Sequence, residues 1–151
     1  MLFHFQERLA GLDHNMKQKG SAAERELVAM FWGTGSWSSL RIAGSGRMNF
    51  PSPDVLAGNG SQIFAIEVKS TKHKSQYIDA DQIQQLRDFA EKFGATPLVA
   101  VKFSTKWHFC SPDDMKKTTS GKHVLHKEKH KDIVKQFEEV ISRRPDQIAE
   151  E

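Results

Sequence analysis

Apolar residues recur at helical spacing in three stretches of the chain, and each stretch predicts a helix with one buried face. The first helix is predicted to begin at Ser21, because Ser21, two alanines and Glu24 form a capping box that satisfies the free amides of a helix start. The second is predicted from Asp81 to Phe93 with Gly94 as its stop, and the third from Asp132 to Arg144. Their apolar faces are Leu27, Val28, Phe31 and Trp32; Ile83, Leu86, Phe89, Ala90 and Phe93; and Ile133, Val134, Phe137, Val140 and Ile141.

Shorter apolar stretches between the helices predict β-strands. These stretches are Trp37–Ile42, Val55–Ala57, Ile63–Val68, Leu98–Phe103 and Trp107–Cys110. The Gly-Asn-Gly sequence at 58–60 separates the second stretch from the third and is a strong signal for an antiparallel hairpin. The order of helix, hairpin, helix, strands and helix predicts an α/β fold, in which a central mixed β-sheet is flanked by helices.

Composition limits the class of protein. A chain of 151 residues is long enough for one domain with a real core and short for two. The net charge of +3 permits nucleic acid as a partner without indicating one strongly. The single cysteine, Cys110, excludes an intrachain disulfide, and its apolar neighbours favour a packing residue over a nucleophile. With no signal peptide and no apolar run near the roughly 20 residues of a membrane span, we expect a cytoplasmic protein without membrane contact.

The chemically distinctive residues lie at the end of the strand predicted at 63–68. Side chains alternate between the two faces of a strand, so Glu67 and Lys69 are predicted to project together while Val68 points into the core. One interpretation is that this acid and base only mark where an apolar strand reaches water. The other is a catalytic site. Asp54, at the start of the hairpin's first arm, favours the catalytic site because it supplies a second carboxylate.

A hairpin centred on Asn59 does not align these acids by itself. Asp54 lies five residues before Asn59 and Glu67 eight after it, so we expect a bulge or twist to bring them together. Two carboxylates in a small space both stay ionised only if a cation lies between them. Oxygen ligands favour Mg²⁺, with Mn²⁺ able to substitute, and such an ion would activate a bound water. Lys69 would orient that water or stabilise charge developing at phosphorus.

The sequence from about residue 17 to 110 resembles the archaeal Holliday junction resolvases, a family of the restriction-endonuclease-like nuclease superfamily. Pro53-Asp54, a gap and Glu67-Val68-Lys69 form the short signature of the superfamily, and the surrounding sequence makes the match more specific. The matching blocks are, in order, Lys19–Leu27, Arg41–Gly46, Pro53–Asn59, Ala65–Thr71, Phe93–Ala95 and Ala100–Phe103.

The resemblance implies a restriction-endonuclease-like fold and a homodimer that cuts four-way DNA junctions by paired symmetric nicks. It implies Mg²⁺ as the cofactor, with no small-molecule cofactor. The matching positions give as catalytic acids and metal ligands Glu24, Asp54 and Glu67. Lys69 matches the catalytic base or stabiliser, and Ser45 lies in the loop that family members use beside the scissile phosphate. The candidate DNA contacts are Lys19, Arg25, Arg41 and Lys72.

Some alternatives remain open beside the resemblance. Glu24 is also explained as the glutamate of the capping box, without any metal. Residues 47–52 lengthen the loop that follows Ser45 relative to the shortest family members. The alternative functions are another repair or restriction-type nuclease on the same scaffold, and a non-catalytic junction-binding protein. We expect residues 1–15 to be an N-terminal extension, 16–144 a single nuclease domain and 145–151 a C-terminal tail.

The segment 111–130 is predicted to be polar, basic and rich in turns. Three histidines, His123, His126 and His130, have a spacing that suggests zinc, but no acid or cysteine accompanies them in register and the neighbouring lysines repel a cation. We interpret the segment as a solvated basic loop that could contact phosphates of a junction arm. Phe89 and Phe93 are predicted core residues, although the resemblance implies that one of them contacts a second subunit.

Overall fold

The structure, a computed structural model, describes residues 20–44 and 49–142. Several predictions concern residues outside these ranges, namely those for Lys19, Ser45, the N-terminal extension and the C-terminal tail. Within the described ranges lie three α-helices, α1 (residues 20–33), α2 (Ala80–Phe93) and α3 (Phe137–Ser142), and a short 3-10 helix at Pro112–Asp114. The strands are β1 (Ser38–Arg41), β2 (Val55–Gly58), β3 (Ile63–Thr71), β4 (Ser75–Ile78), β5 (Thr96–Phe103), β6 (Lys106–Cys110), β7 (Lys116–Lys117) and β8 (His123–His126). None of the described helices is long and apolar enough to cross a membrane.

The larger sheet has five strands in the order β1-β2-β3-β5-β6. The strands β1, β2 and β3 are antiparallel neighbours, β3 and β5 run parallel with α2 as their crossover, and β6 returns antiparallel to β5. The mixed central sheet with flanking helices is therefore confirmed. The strand β3 is longer than the predicted stretch, because Ser70 and Thr71 continue its parallel pairing with β5.

Apolar side chains form one core on each face of this sheet. On one face, Leu27 and Phe31 of α1 pack with Phe64, Val68 and Phe109. On the other face, Ile83 and Leu86 of α2 pack with Ala65 and Val99. Successive side chains of β3 therefore point to opposite cores, which fixes the strand's orientation because a slip by one residue would exchange the two sets.

The first helix differs from its prediction at the start and on its face. Residue 20 is already helical, so Ser21 lies inside the helix and the predicted capping box is wrong. The carboxylate of Glu24 instead pairs with Arg41 of β1. Trp32, a predicted core residue, is 57% exposed and donates from its indole nitrogen to the Ser39 carbonyl, while Ala23 takes a place in the core.

The segment 111–130 contains secondary structure that the sequence pattern did not indicate. The strands β4, β8 and β7 form a second sheet in that order, and Leu125 is fully buried against Ile78 and Met115. His123 is also buried, so the prediction of a solvated loop is wrong for the inner face of β8. Burial lowers the pKa of His123 and favours its neutral form.

The last helix begins at Phe137, five residues later than predicted. The main chain of Lys135 exchanges two hydrogen bonds with Phe109 of β6, with nitrogen–oxygen distances of 3.1 and 2.7 Å. This bridge holds Lys135 in an extended conformation, and residues 131–133 before it form turns. Ile133 and Val134 consequently pack against the α2 core, and their helical spacing does not reflect a helix.

Candidate active site

The β2–β3 hairpin brings Asp54 beside Glu67, and its regular pairing ends in a bend at Asp54. Its connection spans four residues, 59–62, and the register pairs Gly58 with Ile63 and Val55 with Ile66. One further step of this register would pair Asp54 with Glu67, but the Asp54 N–H donates to the Ile66 carbonyl, one residue out of register, as in a β-bulge. The predicted irregularity is therefore present at Asp54, but the count from Asn59 was wrong because the turn is centred between Gly60 and Ser61.

The side chain of Asn59 accounts for this centre. Its Oδ1 accepts hydrogen bonds from the main-chain N–H groups of Ser61 at 3.0 Å and Gln62 at 2.7 Å, while its own N–H donates to the Gln62 carbonyl. Asparagine favours this conformation because its short side chain can bond the backbone two residues further on.

Asp54 is fixed by its backbone and by its side chain. Its N–H donates to the Ile66 carbonyl at 3.0 Å, and its Oδ2 accepts from the Val68 N–H at 2.8 Å. The carboxylate is therefore bound to the same strand that carries the second acid.

Glu67 and Lys69 project from the same face of β3, as predicted, with Nζ of Lys69 3.3 Å from Oε1 of Glu67. Only 13% of the Glu67 side chain is exposed. Burial raises the pKa of Glu67 to about 7, together with repulsion by Asp54 and a hydrogen bond that the protonated Glu67 donates to Asp54, although Lys69 opposes the rise. A glutamate near half-ionisation at neutral pH beside a second carboxyl group is typical of a functional site.

Glu24 faces the same cleft from α1, but it is held by Arg41, whose Nε lies 2.5 Å from Oε2 of Glu24. Burial raises the pKa of Glu24, with a smaller contribution from Asp54, while Arg41 lowers it. Among the described residues, no three histidine, cysteine, aspartate or glutamate side chains are grouped closely enough to hold a metal ion. The structure thus assembles Asp54 with Glu67, and the assignment of Glu24 as a third ligand stays a prediction.

A cleft of about 1070 Å³ contains these groups. Five of the predicted residues besides Asp54 line it: Glu24, Arg41, Glu67, Lys69 and Lys72. Arg25 is exposed on α1, outside the cleft lining.

The sequence interpretation missed other cleft residues, His73, Gln76, Gln82 and Gln85. The spacing of Gln82 and Gln85, three residues apart on the polar side of α2, was the available signal for a shared helix face.

Two other groups of reactive side chains do not form sites. Cys110 is fully buried, and burial raises the pKa of its thiol to about 12, which agrees with its prediction as a packing residue. The histidines at 123 and 126 lie three residues apart on β8, so they occupy opposite faces of that strand. The strand geometry thus separates two of the three residues that a zinc site would need.

Comparisons with known proteins agree with this geometry. Residues 15–148 match the family described as archaeal Holliday junction resolvase (Hjc). A crossover junction endodeoxyribonuclease Hjc from Archaeoglobus fulgidus is 46% identical over 95 residues, which are 62% of this chain and 69% of the relative. The protein of the same name from Methanocaldococcus jannaschii is 33% identical over 126 residues, 83% of this chain and 89% of the relative.

A solved structure of Archaeoglobus fulgidus Hjc, described as a Holliday junction resolvase, aligns with a TM-score of 0.73 at 34% identity. The alignment covers 80% of this chain and 98% of that one. A mixed sheet whose central strand carries an acid and a lysine, with a second acid beside them, defines a nuclease of the restriction-endonuclease-like fold. The chain belongs to the archaeal Holliday junction resolvase family, as the sequence resemblance predicted.

Proposed function

We propose that this protein is an endodeoxyribonuclease that resolves four-way DNA junctions by paired symmetric nicks. The convergence of Asp54, Glu67 and Lys69 in one cleft carries the proposal, because hydrolysis of a phosphodiester needs an activated water and stabilisation of the developing charge. Membership of the resolvase family and the names of the relatives support the same activity.

Asp54 and Glu67 suit a divalent cation. The raised pKa of Glu67 reflects a buried carboxyl group beside a second one, and a shared divalent cation would offset their repulsion. Mg²⁺ commonly binds one or two carboxylates together with waters and a phosphate oxygen, so we assign it to these two side chains, with Mn²⁺ as a substitute. When bound, the ion would lower the pKa of a water and neutralise charge on the phosphate.

The other residues of the cleft would position the substrate and the water. Lys69 would hold the attacking water or stabilise charge at phosphorus from its place beside Glu67. Arg41 anchors Glu24, which becomes a third ligand if its carboxylate turns from Arg41 towards Asp54. Lys72 at the rim of the cleft would contact a phosphate. The contacts predicted for Lys19, Arg25 and Ser45 with the DNA stay predictions.

Cleavage of a four-way junction, mapped on all four strands, tests the proposed function. We expect two symmetric nicks in opposing strands with Mg²⁺ or Mn²⁺, no cutting in a chelator, and weak cutting of a duplex of the same sequence. Comparable cutting of the duplex would indicate a different nuclease on the same scaffold. Junction binding without cutting under any metal condition would indicate a non-catalytic junction-binding protein.

We also propose that the protein acts as a homodimer through an apolar surface on the α2 side of the larger sheet. Leu40 and Phe93 are 54% and 53% exposed there. Leu40 pairs with Leu56 across β1 and β2, and Phe93 stacks on Phe89 with ring centroids 5.1 Å apart. Leu56 and Phe89 pack against the same core, which places both pairs on one side of the sheet. Exposed apolar residues on one side of the sheet favour an interface there, and a two-fold dimer would present two identical cutting sites to a two-fold junction.

Phe93→Glu is expected to convert the dimer to a monomer, because a two-fold interface buries the new charge twice. Sedimentation would measure the mass, and junction assays should show single nicks replacing paired ones. Trp32→Glu is the matched control, since Trp32 is an equally exposed aromatic residue on α1, at the other face of the sheet. A dimeric Phe93→Glu protein, or a monomeric Trp32→Glu protein, would contradict the assigned interface.

A further inference from the structure

The turn that follows β8 is built around two imidazole rings. Nδ1 of His126 accepts hydrogen bonds from the main-chain N–H groups of Glu128 at 3.1 Å and Lys129 at 3.2 Å. Nδ1 of His130 accepts a hydrogen bond from the main-chain N–H of His126 at 2.9 Å. The main-chain N–H of His130 donates to the His126 carbonyl. We call residues 126–130 the histidine turn. Both rings hold its backbone in one conformation.

This bonding fixes which ring nitrogen carries the proton. A nitrogen that accepts a hydrogen bond has no proton of its own, so each neutral ring carries its proton on Nε2. The two nitrogens of an imidazole point away from each other, and Nε2 of each ring therefore points away from the amides that Nδ1 accepts. His126 and His130 are both partly exposed, and each offers one oriented, uncharged donor.

Lysines surround the histidine turn. Lys116 of β7 and Lys129 lie close enough to His130 to lower its pKa, in addition to the larger effect of burial. Lys127, Lys129 and Lys131 lie within or directly after the turn, and Lys116 and Lys129 are exposed. Two acids are also present: Asp132 opposes the lysines at His130, and Glu128 lies in the turn. The surface is nevertheless strongly basic.

The turn is joined to the rim of the catalytic cleft. The N–H of Lys127 donates to the carbonyl of Lys74 at 2.9 Å, and Lys74 directly follows Lys72 and His73, which line the cleft. The histidine turn therefore lies directly beside the loop after β3, and this loop carries lysines up to the rim of the cleft. Donors of this kind, ammonium groups and ring N–H groups on a rigid backbone, match phosphate oxygens rather than base edges.

We infer that the histidine turn, with Lys74 and Lys116, binds the phosphate backbone of the duplex arm that leaves the catalytic cleft. The inference rests on the proposed function for the identity of the DNA as a junction arm. Contacts outside the cleft would add affinity without base recognition, because phosphates carry no sequence information. They would also discriminate in favour of a branched substrate, since only an arm with the correct direction meets the turn and the cleft together.

The experiment measures junction binding in a chelator, by fluorescence anisotropy, across a series of salt concentrations. The double variant Lys116→Ala/Lys129→Ala should decrease the slope of log affinity against log salt by about 0.9 for each phosphate that is no longer neutralised. Shortened junction arms should abolish the difference between variant and wild type. Lys92→Ala, which removes an exposed lysine at the far end of α2, should leave the slope unchanged. An unchanged slope in the double variant, or an equal change in Lys92→Ala, would overturn the inference, and an acidic protein would then be the better partner for this surface.

A second variant tests the imidazole donors separately from the lysines. His126→Asn keeps an acceptor near the position of Nδ1 to hold the turn, but it removes the Nε2 donor. We expect weaker binding of the long-armed junction with an unchanged salt slope, because the removed group is uncharged. Unaltered affinity would contradict the donor role. If the wild-type protein fails to cut junctions, only the proposed function is refuted. The salt slope of binding to a plain duplex would still show whether the histidine turn contacts phosphates.

Discussion

Replacing Glu67 with glutamine is expected to abolish junction cutting and, at the same time, to stabilise the fold above neutral pH. The loss of cutting should reach about 10³-fold or more, because the variant loses a carboxylate from the proposed metal site and the partner of Lys69. Junction binding in a chelator should remain. Stability and activity would thus change in opposite directions at one residue, as expected where function requires buried like charges.

The pH dependence of this stability follows from the pKa of Glu67. That pKa is about 7 in the folded protein against an ordinary value of 4.5, so the folded state binds more protons between these values. Wild-type stability should therefore fall as pH rises from 4.5 through 7, by at most about 3 kcal/mol. Glutamine does not titrate. The stability of the variant should equal that of the wild type below pH 4.5 and exceed it most above pH 7.

Urea unfolding at several pH values, in a chelator, measures this difference. Adding Mg²⁺ above pH 7 should then raise the midpoint of the wild type and have a smaller effect on Glu67→Gln, because a ligand of the folded state stabilises it by mass action. A constant stability difference across the pH range would show that Glu67 does not titrate near neutrality. Equal effects of Mg²⁺ on both proteins would place the ion elsewhere.

Asp54 is expected to have two separable roles, which Asp54→Asn and Asp54→Ala distinguish. Both variants should lose cutting by about 10³-fold or more, because each removes a carboxylate from the proposed metal site. Asparagine keeps an oxygen that can accept from the Val68 N–H, whereas alanine leaves this amide without its side-chain acceptor. The free energy of unfolding of Asp54→Ala should therefore be lower than that of Asp54→Asn by about 1–2 kcal/mol.

Thermal unfolding of the two variants in a chelator gives the stability comparison, and junction assays give the activity. The asparagine variant should also bind the junction as tightly as wild type in a chelator, since its backbone contacts persist. Equal stability of the two variants would mean that the bond to Val68 contributes nothing to the hairpin. Retained cutting by Asp54→Asn would refute the proposed metal ligands.

The placement of the proposed catalytic residues on β3 could be predicted from the sequence because it depends on local geometry. Strand alternation alone places Glu67 and Lys69 on one face and Val68 in the core, and the structure confirms both placements. The α2 helix was also predictable, because its apolar spacing and Gly94 act within one segment; Gly94 has a φ of +78° and ends the helix. Local signals of this kind need no knowledge of distant contacts.

The errors arose where a distant segment decided the local structure. The polar sequences of β4 and β7 become strands only because they pair with β8 across the chain. The segment before Phe137 has helical spacing but forms turns at 131–133 and a β-bridge from Lys135 to Phe109. The local pattern around Glu24 indicates a capping box, but its partner, Arg41, lies on another element. In each case the deciding contact is absent from the local pattern.

The four-residue turn between β2 and β3 has a consequence for sequence variation in this family. Its residues lie outside the lining of the catalytic cleft, yet their number decides which side chain of β3 stands beside Asp54. Removing or adding one residue there would turn Asp54 or Glu67 towards the opposite core. Ser61 should therefore vary during evolution while Asn59, Gly60 and the length of the loop stay constant, so that an alignment gap at this position would distinguish inactive descendants from working enzymes.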